Sequence, residues 1–274
     1  MSNEILIPVI MLGAFGLLFG FGLAFAARVF AVQVDPRIEK IEELLPGANC
    51  GACGLPGCSG YAAAVVRGEA PPNLCAAVSS ESRARISEIL GVAIEEREIP
   101  IAVVRCTGDV SPGHHKFNYL GETVCAEAVF IAEGPNPCRF GCVGMGSCVA
   151  ACPFDAMIMG EGKPPSPDPD KCVGCGLCVT ACPKNLIELA PRDRHVFVLC
   201  RSHYKGKQVK EICKTGCTGC GICAKKCPEE AIELVDNLPV INHEKCKNHG
   251  VCAEKCPSNA ILFTGEIARV TSSE

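Results

Sequence analysis

The residues of this chain best able to do chemistry are its cysteines, which number 23 among 274 residues. Two runs match C-x2-C-x2-C-x3-C-P at every position: Cys172, Cys175, Cys178 and Cys182, and Cys217, Cys220, Cys223 and Cys227. This spacing wraps a chain around a [4Fe–4S] cube, and the Cys before Pro binds a neighbouring cube. Zinc sites use separated CxxC pairs and only four ligands. The runs therefore predict clusters that carry single electrons.

Two properties of the cysteines argue against a disulfide framework. Most lie in tight runs with gaps of two or three residues, which suit a metal cluster better than bridges across a fold. Their number is odd, so they cannot all pair. Trp is absent and aromatic residues make up only 5% of the chain. Clusters would replace the missing core, because metal binding supplies folding energy when the site forms only in the folded chain.

One short unit occurs four times in the second half of the chain. Each copy has Cys-Pro, two further residues, a small or apolar residue and an apolar run that predicts a strand. The copies are CPFDAMIM from Cys152, CPKNLIEL from Cys182, CPEEAIEL from Cys227 and CPSNAILF from Cys256. Because pairs of such units make a two-cluster ferredoxin domain, the repeat predicts two of these domains in tandem.

The first and last units depart from the standard spacing. The first is stretched, with Cys138-x3-Cys142-x5-Cys148 before Cys152. The last reads Cys246-x5-Cys252-x3-Cys256, and His249 stands where a ligand is missing. A His-ligated [4Fe–4S] cluster, a [3Fe–4S] cluster, a water or external ligand, and an ordinary loop His all remain open. A His ligand would raise the potential, as in Rieske centres.

The rule that the Cys before Pro binds the neighbouring cluster predicts four ligand sets. They are Cys138, Cys142, Cys148 and Cys182; Cys152, Cys172, Cys175 and Cys178; Cys217, Cys220, Cys223 and Cys256; and Cys227, Cys246 and Cys252, with or without His249.

Eight further cysteines lie outside these sets. The motif PGANCGACGLPGC and a later cysteine predict a fifth cluster in a small helical domain, bound by Cys50, Cys53, Cys58 and Cys75. The other four are either ordinary buried thiols or the ligands of a sixth cluster: Cys106, Cys125, Cys200 and Cys213. The sequence thus predicts at least five [4Fe–4S] clusters, one of which could be [3Fe–4S] or His-ligated.

The elements that hold these cysteines begin with an N-terminal stretch, residues 5–27, that has no charged residue. Its length spans a bilayer core. A signal peptide would need a basic leader, and a core helix is rarely apolar all round. Arg28, Arg37 and Lys40 follow the stretch and none precedes it, so the positive-inside rule puts the soluble domains in the cytoplasm. We therefore expect a single-pass protein of the inner or plasma membrane.

The overall expectation is an α+β chain with one transmembrane helix and three iron–sulfur domains. Its predicted segments are a membrane anchor at 1–34, an N-terminal 4Fe–4S domain at 35–95, a first two-cluster ferredoxin domain at 96–190, a second at 191–265 and a tail at 266–274.

The combination of motifs resembles the B subunit of the Rnf complex, the ion-translocating ferredoxin:NAD oxidoreductase, in its long form. The resemblance rests on the N-terminal helix, PGANCGACGLPGC with Cys75, and CRFGCVGMGSCVAACPFDA. It implies electron exchange between soluble ferredoxin and the membrane subunits, while a flavin subunit handles NADH and the complex moves Na⁺ or H⁺. The departure from the family is His249, where a Cys is expected. Related complexes reduce a redox-sensing transcription factor, which is the alternative function.

Other functional classes find little support in the sequence. It has no G-x-G-x-x-G after a strand, no P-loop and no nucleophile constellation, so we expect no nicotinamide or ATP site. A net charge of −4 gives no hint of nucleic-acid binding. Seven basic residues between Arg201 and Lys226, against only Glu211, form either a solvated face or a docking patch for acidic ferredoxin.

Overall fold

A computed structural model of the protein describes residues 2–30, 35–94 and 98–264. Helix α1 (Ser2–Val29) contains a segment, Val9–Val29, with a mean hydropathy of 2.3. None of this segment is buried against the rest of the protein. The segment is about 30 Å long, the thickness of a bilayer's hydrocarbon core. By length and composition, α1 can therefore cross a membrane.

Three helices form the N-terminal domain around a small core of Ile41, Tyr61 and Ile86. The Asp35 carboxylate accepts a hydrogen bond from the Arg37 N–H at 2.9 Å and so caps the first of these helices. The helices are α2 (Pro36–Leu44), α3 (Gly57–Val66) and α4 (Ser80–Leu90). This domain has its own apolar core.

The rest of the described chain forms two ferredoxin domains, each with two antiparallel strand pairs. In the first, β1 (Ile101–Val104) pairs with β4 (Ile187–Ala190), and β2 (Met157–Ile158) with β3 (Ser166–Pro167). In the second, β5 (Val196–Val198) pairs with β8 (Ile261–Phe263), and β6 (Ile232–Val235) with β7 (Leu238–Ile241). The predicted α+β chain, with an apolar N-terminal helix and tandem ferredoxin folds, is confirmed.

Short helices carry cysteines inside both domains. A glycine with positive φ precedes each of four helices, whose second residue is a buried cysteine. The helices are α6 (Ser147–Ala150), α7 (Leu177–Thr180), α9 (Ile222–Lys226) and α10 (Val251–Glu254). Because a side chain at φ near +75° is strained, glycine lets the chain turn sharply into each helix and aim the cysteine inward.

The Cys-Pro unit has a common backbone shape. In all four copies the third residue after the cysteine has a left-handed φ between 47° and 52°. In three copies the next residue donates its N–H to the cysteine sulfur: Leu186 to Cys182, Ala231 to Cys227 and Ala260 to Cys256, at 3.3–3.4 Å. The repeat therefore encodes a turn that points a backbone donor at sulfur.

Two segments that follow the first strand of each domain lie against each other. Segment 105–137 contains a 3₁₀ turn (Pro112–His114) and α5 (Cys125–Phe130), and segment 199–216 contains α8 (Gly206–Ile212). The Thr215 hydroxyl donates to the Thr107 carbonyl at 2.9 Å. The Arg105 guanidinium donates to the Val198 carbonyl at 3.1 Å. These bonds join the two ferredoxin domains.

Candidate iron–sulfur sites

Site I is the cysteine set of the N-terminal domain: Cys50, Cys53, Cys58 and Cys75. Burial raises the pKa of Cys75, and the thiols of the other three add to the rise, so all four lie close together. The Asn49 side chain accepts the N–H of Cys58 at 2.8 Å. A Cβ on Gly57 would lie 2.8 Å from the same Asn49 oxygen, which is why the loop needs glycine there. The structure thus brings the predicted ligands together.

Tyr61 packs directly behind site I. Burial raises its pKa to about 12, and the thiols of Cys75 and Cys53 contribute to the shift. Its hydroxyl donates to the Pro72 carbonyl at 2.8 Å. Tyr61 therefore stays neutral and adds no negative charge beside the site.

Three further sets surround cavities as the spacing predicts. Site III (Cys152, Cys172, Cys175 and Cys178) lines a cavity of about 350 Å³, a volume that includes its solvent-filled mouth, as do the next two. Site IV (Cys217, Cys220, Cys223 and Cys256) lines one of about 320 Å³. Site V (Cys227, Cys246 and Cys252) lines one of about 300 Å³. In each case the Cys before Pro reaches the neighbouring unit, so the cross-ligation rule describes these sets.

Site II differs from the expectation for the stretched unit. The Cys125 N–H donates to the Ser147 hydroxyl at 2.9 Å, which brings Cys125 beside Cys148. Burial raises the pKa of Cys148 to about 11, and the neighbouring thiols of Cys125 and Cys182 add to it. Burial likewise raises the pKa of Cys142, with contributions from the thiols of Cys106, then Cys125 and Cys148. The structure therefore groups Cys125 with Cys142, Cys148 and Cys182.

Cys138, which the spacing had placed in site II, points elsewhere. It lines a cavity at the junction of the ferredoxin domains, which Cys142 of site II also lines. The physical reason is the stretched loop: α5 packs against the loop and supplies Cys125 in place of a cysteine inside the motif. Cys125 correspondingly leaves the set of four unassigned thiols in which the sequence had counted it.

His249 lies on the rim of the site V cavity. Its Nε2 is 3.0 Å from a carboxylate oxygen of Glu229, and both side chains are roughly half exposed. The position between Cys246 and Cys252 is thus occupied by an imidazole that another polar group holds at the surface.

Replacing His249 by Cys is expected to lower the midpoint potential of one cluster. A fourth thiolate at this position adds negative charge and completes a four-thiolate [4Fe–4S] set, whereas His ligation raises potentials. EPR-monitored redox titration of the anaerobic protein measures the shift. Glu229→Gln is the matched control and should leave all potentials close to the wild type. Unmoved potentials in the His249→Cys protein would show that the position does not face the cluster.

The residues at these sites fit [4Fe–4S] clusters on structural grounds. Thiols that are buried close to one another resist ionisation. At Cys178, burial is the main cause that raises the pKa to about 12, and the thiols of Cys175 and Cys172 contribute. Bound iron would offset that cost because a coordinated thiol is deprotonated. The sulfurs surround cavities rather than a point. Within residues 2–30, 35–94 and 98–264, no group of three or more His, Cys, Asp or Glu side chains is arranged around a single metal ion.

Two ferredoxin folds, a smaller four-cysteine domain and an apolar N-terminal helix together define a multi-cluster iron–sulfur electron-transport protein. Family models agree: an iron–sulfur cluster (FeS) model matches residues 45–77, and 4Fe-4S dicluster domain models match residues 141–187, 171–231 and 216–260. The chain belongs to the family formed by the B subunits of the Rnf-type ion-translocating oxidoreductase complexes.

Three relatives carry that assignment. The chain is 43% identical to the B subunit of the Na(+)-translocating ferredoxin:NAD(+) oxidoreductase complex of Acetobacterium woodii, over 90% of this chain and 74% of the relative. It is 41% identical to the B subunit of the proton-translocating complex of Clostridium ljungdahlii, over 89% and 86%. It is 39% identical to the B subunit of the ion-translocating oxidoreductase complex of Methanosarcina acetivorans, over 90% and 93%.

Proposed function

We propose that this chain relays electrons between soluble ferredoxin and membrane redox partners through clusters at sites I–V, at least five in number. A [4Fe–4S] cluster would supply one-electron storage at each of sites I–IV, and site V holds either a [3Fe–4S] or a His249-ligated cluster. Other subunits of the complex couple this flow to NAD reduction and to Na⁺ or H⁺ transport. The names of the relatives, which include ferredoxin:NAD(+) oxidoreductase, support the partner and the reaction.

The observation that carries the proposal is the exposure of Cys220 at site IV. Among the 23 cysteines, all of which lie in the described residues, Cys220 alone is exposed. Electron transfer weakens steeply with distance, so a soluble partner must dock where a cluster comes close to the surface. Site IV is therefore where ferredoxin delivers or accepts electrons.

The surface around Cys220 has the charge that an acidic partner requires. Lys225 and Lys226 end helix α9, which begins two residues after Cys220, and both are exposed. The start of α8 packs on Thr218, since a Cβ on Gly206 would lie 3.1 Å from the Thr218 carbonyl oxygen. We infer from this contact that the lysines in and beside α8 belong to the same surface as Lys225 and Lys226. The exposed lysines of this basic face are Lys205, Lys207, Lys210, Lys214, Lys225 and Lys226.

Arg201, which the sequence counted with these lysines, has a structural role instead. Its guanidinium donates to the Asn185 carbonyl at 2.5 Å and so links the two ferredoxin domains. The docking face is therefore formed by lysines.

The opposite end of the relay is site I. Burial raises the pKa of Cys175 at site III, and Cys50 is among the thiols that contribute. Sites I and III are therefore neighbours. Because the site I domain follows α1 along the chain, we assign it the transfer to membrane subunits. In this arrangement the soluble domains face the cytoplasm, where the basic residues after α1 would retain them.

Ion transport is assigned to the partners. Residues 5–27, which lie within α1, contain no ionisable side chain that could carry an ion across a bilayer. This chain would supply the electrons that drive a change in the membrane subunits.

Reversing two charges of the basic face tests ferredoxin docking. The double variant Lys225→Glu/Lys226→Glu is expected to slow reduction by ferredoxin about tenfold or more at low salt, because opposite charge steers the encounter. Wild-type rates should fall steeply with ionic strength, and the variant should lose this dependence. Stopped-flow spectroscopy at several salt concentrations measures both.

The control is Lys163→Glu, an exposed lysine in the connection between the two cluster motifs of the first domain. It changes the net charge in the same direction but lies away from site IV. Equal slowing by Lys163→Glu, or rates indifferent to salt, would argue against docking at this face.

A further inference from the structure

Four cysteines that no site above uses line a single cavity between the two ferredoxin domains. We call them the central set: Cys106, Cys138, Cys200 and Cys213. With its solvent-filled mouth included, the cavity has a volume of about 560 Å³, compared with about 350, 320 and 300 Å³ at sites III, IV and V measured in the same way. It is therefore at least as large as the cavities whose motifs identify them as cluster sites.

The central set contains two equivalent halves, one from each domain. Cys106 follows the end of β1 by two residues, and Cys200 follows the end of β5 by two residues. Cys138 precedes Cys142 with three residues between them, and Cys213 precedes Cys217 with the same gap. Cys142 and Cys217 each begin the cluster motif of their domain. Equivalent positions in the two domains indicate that these four cysteines form one set, rather than being unrelated buried thiols.

The hydrogen bonds at the central set follow the same symmetry. The Cys142 N–H donates to the Cys106 sulfur at 3.4 Å, and the Cys217 N–H donates to the Cys200 sulfur at 3.4 Å. The Ser202 N–H adds a second donor to Cys200 at 3.5 Å. Backbone donors aimed at sulfur are the feature that sites III, IV and V also show.

Glycines, which have no side chain, lie next to these sulfurs. A Cβ on Gly108 would lie 3.5 Å from the Cys213 sulfur and 3.7 Å from the Cys106 sulfur, so both thiols face one small volume. A Cβ on Gly141 would lie 3.6 Å from the Cys138 sulfur, and one on Gly216 would lie 3.4 Å from the Cys213 sulfur. The backbone can thus approach a bulky group bound between the four thiols.

We propose that the central set binds a sixth [4Fe–4S] cluster, held half by each ferredoxin domain. This inference rests on the proposed relay for its role, since it fills the gap between the domains. The Cys217 amide at site IV contacts the Cys200 sulfur, and the Cys142 amide at site II contacts the Cys106 sulfur. The central set therefore lies between site IV, where ferredoxin docks, and site II.

The test is an iron count on the anaerobically purified full-length holoprotein and its variants. Cys106→Ala and Cys138→Ala should each lose about four irons. The double variant Cys106→Ala/Cys138→Ala should lose no more than either single variant, because both residues serve one cluster. A loss of about eight irons in the double variant would assign Cys138 to a different cluster and overturn the proposal. Stoichiometric zinc in the wild type, or full iron in both single variants, would also overturn it.

A matched comparison separates this outcome from misfolding. Cys125→Ala should lose about four irons from site II. The double variant Cys106→Ala/Cys125→Ala should lose twice as much iron as either single variant, because the two residues serve different clusters. Retained EPR signals from sites IV and V in every variant show that the second domain is folded, and Cys106→Ser provides a milder substitution.

The role of the central set in the relay is tested by the rates at which ferredoxin reduces the individual clusters. In Cys106→Ala, ferredoxin should reduce sites IV and V at the wild-type rate, while reduction of sites I, II and III slows by orders of magnitude. If wild-type protein is not reduced by ferredoxin at all, the proposed function fails while the iron count still decides the ligand set. If the single variants keep full iron and fast transfer, the sixth cluster fails while the relay stands.

Discussion

Replacing Cys58 by alanine is expected to abolish electron delivery to the membrane partners while ferredoxin still reduces the ferredoxin-domain clusters. Cys58 is a predicted ligand of site I, the set that follows the apolar helix along the chain. Without this cluster an electron would have to cross from site III to the partner in one step. Because tunnelling falls exponentially with distance, turnover of the assembled complex should drop to the level seen without this subunit.

The Cys58→Ala substitution is specific because it removes only the thiol. The bond from the Cys58 N–H to Asn49 uses the backbone and remains in the variant. The neighbouring exposed residue Ser59 offers the control Ser59→Ala, which should behave as the wild type. Ferredoxin-dependent NAD reduction by reconstituted complex, with stopped-flow reduction of the isolated protein, gives the two readouts. Wild-type turnover in Cys58→Ala would remove site I from the electron route.

Removal of iron is expected to unfold both ferredoxin domains and to spare much of the N-terminal helical domain. Strands of two to four residues and α-helices of four to seven have almost no stability of their own. The buried core of the second domain contains cysteines among few large apolar side chains, including Cys200, Cys217, Cys223 and Cys252. Cluster binding must therefore provide most of the folding free energy of these domains.

Hydrogen–deuterium exchange measured by mass spectrometry tests this, comparing holoprotein with protein whose iron has been chelated under reducing conditions. Amides of β1–β8 should lose their protection, whereas α3 and α4 should keep part of theirs. The helical domain has Tyr61, Ile41 and Ile86 in its core, and these are among the largest fully buried side chains of the described residues. Uniform protection after chelation would contradict a cluster-dependent fold.

The sequence predicted those parts of the fold that depend on local spacing. The runs beginning at Cys172 and Cys217 identified the ferredoxin domains, because each motif contains its own turns. The residue pattern after each Cys-Pro identified four of the strands, β2, β4, β6 and β8. The charge-free N-terminal stretch forms one continuous helix.

The ligand groupings were harder to predict because they depend on contacts between distant segments. Local counting assigned Cys138 to the stretched motif, although α5 brings Cys125 there from far along the chain. One signal in the sequence could have revealed this: Cys138-x3-Cys142 has the same spacing as Cys213-x3-Cys217. Comparing the two domains with each other, rather than each with the standard motif, exposes that equivalence.

The matched halves of the central set also bear on the history of the chain. A ligand set with two equivalent cysteines from each of two equivalent domains is the arrangement expected on the axis of a symmetric homodimer. Gene duplication and fusion would convert such a dimer into one polypeptide. Only five residues separate the end of β4 from the start of β5. That short tether holds the half-sites at a high effective concentration, so the shared centre can assemble without a second molecule.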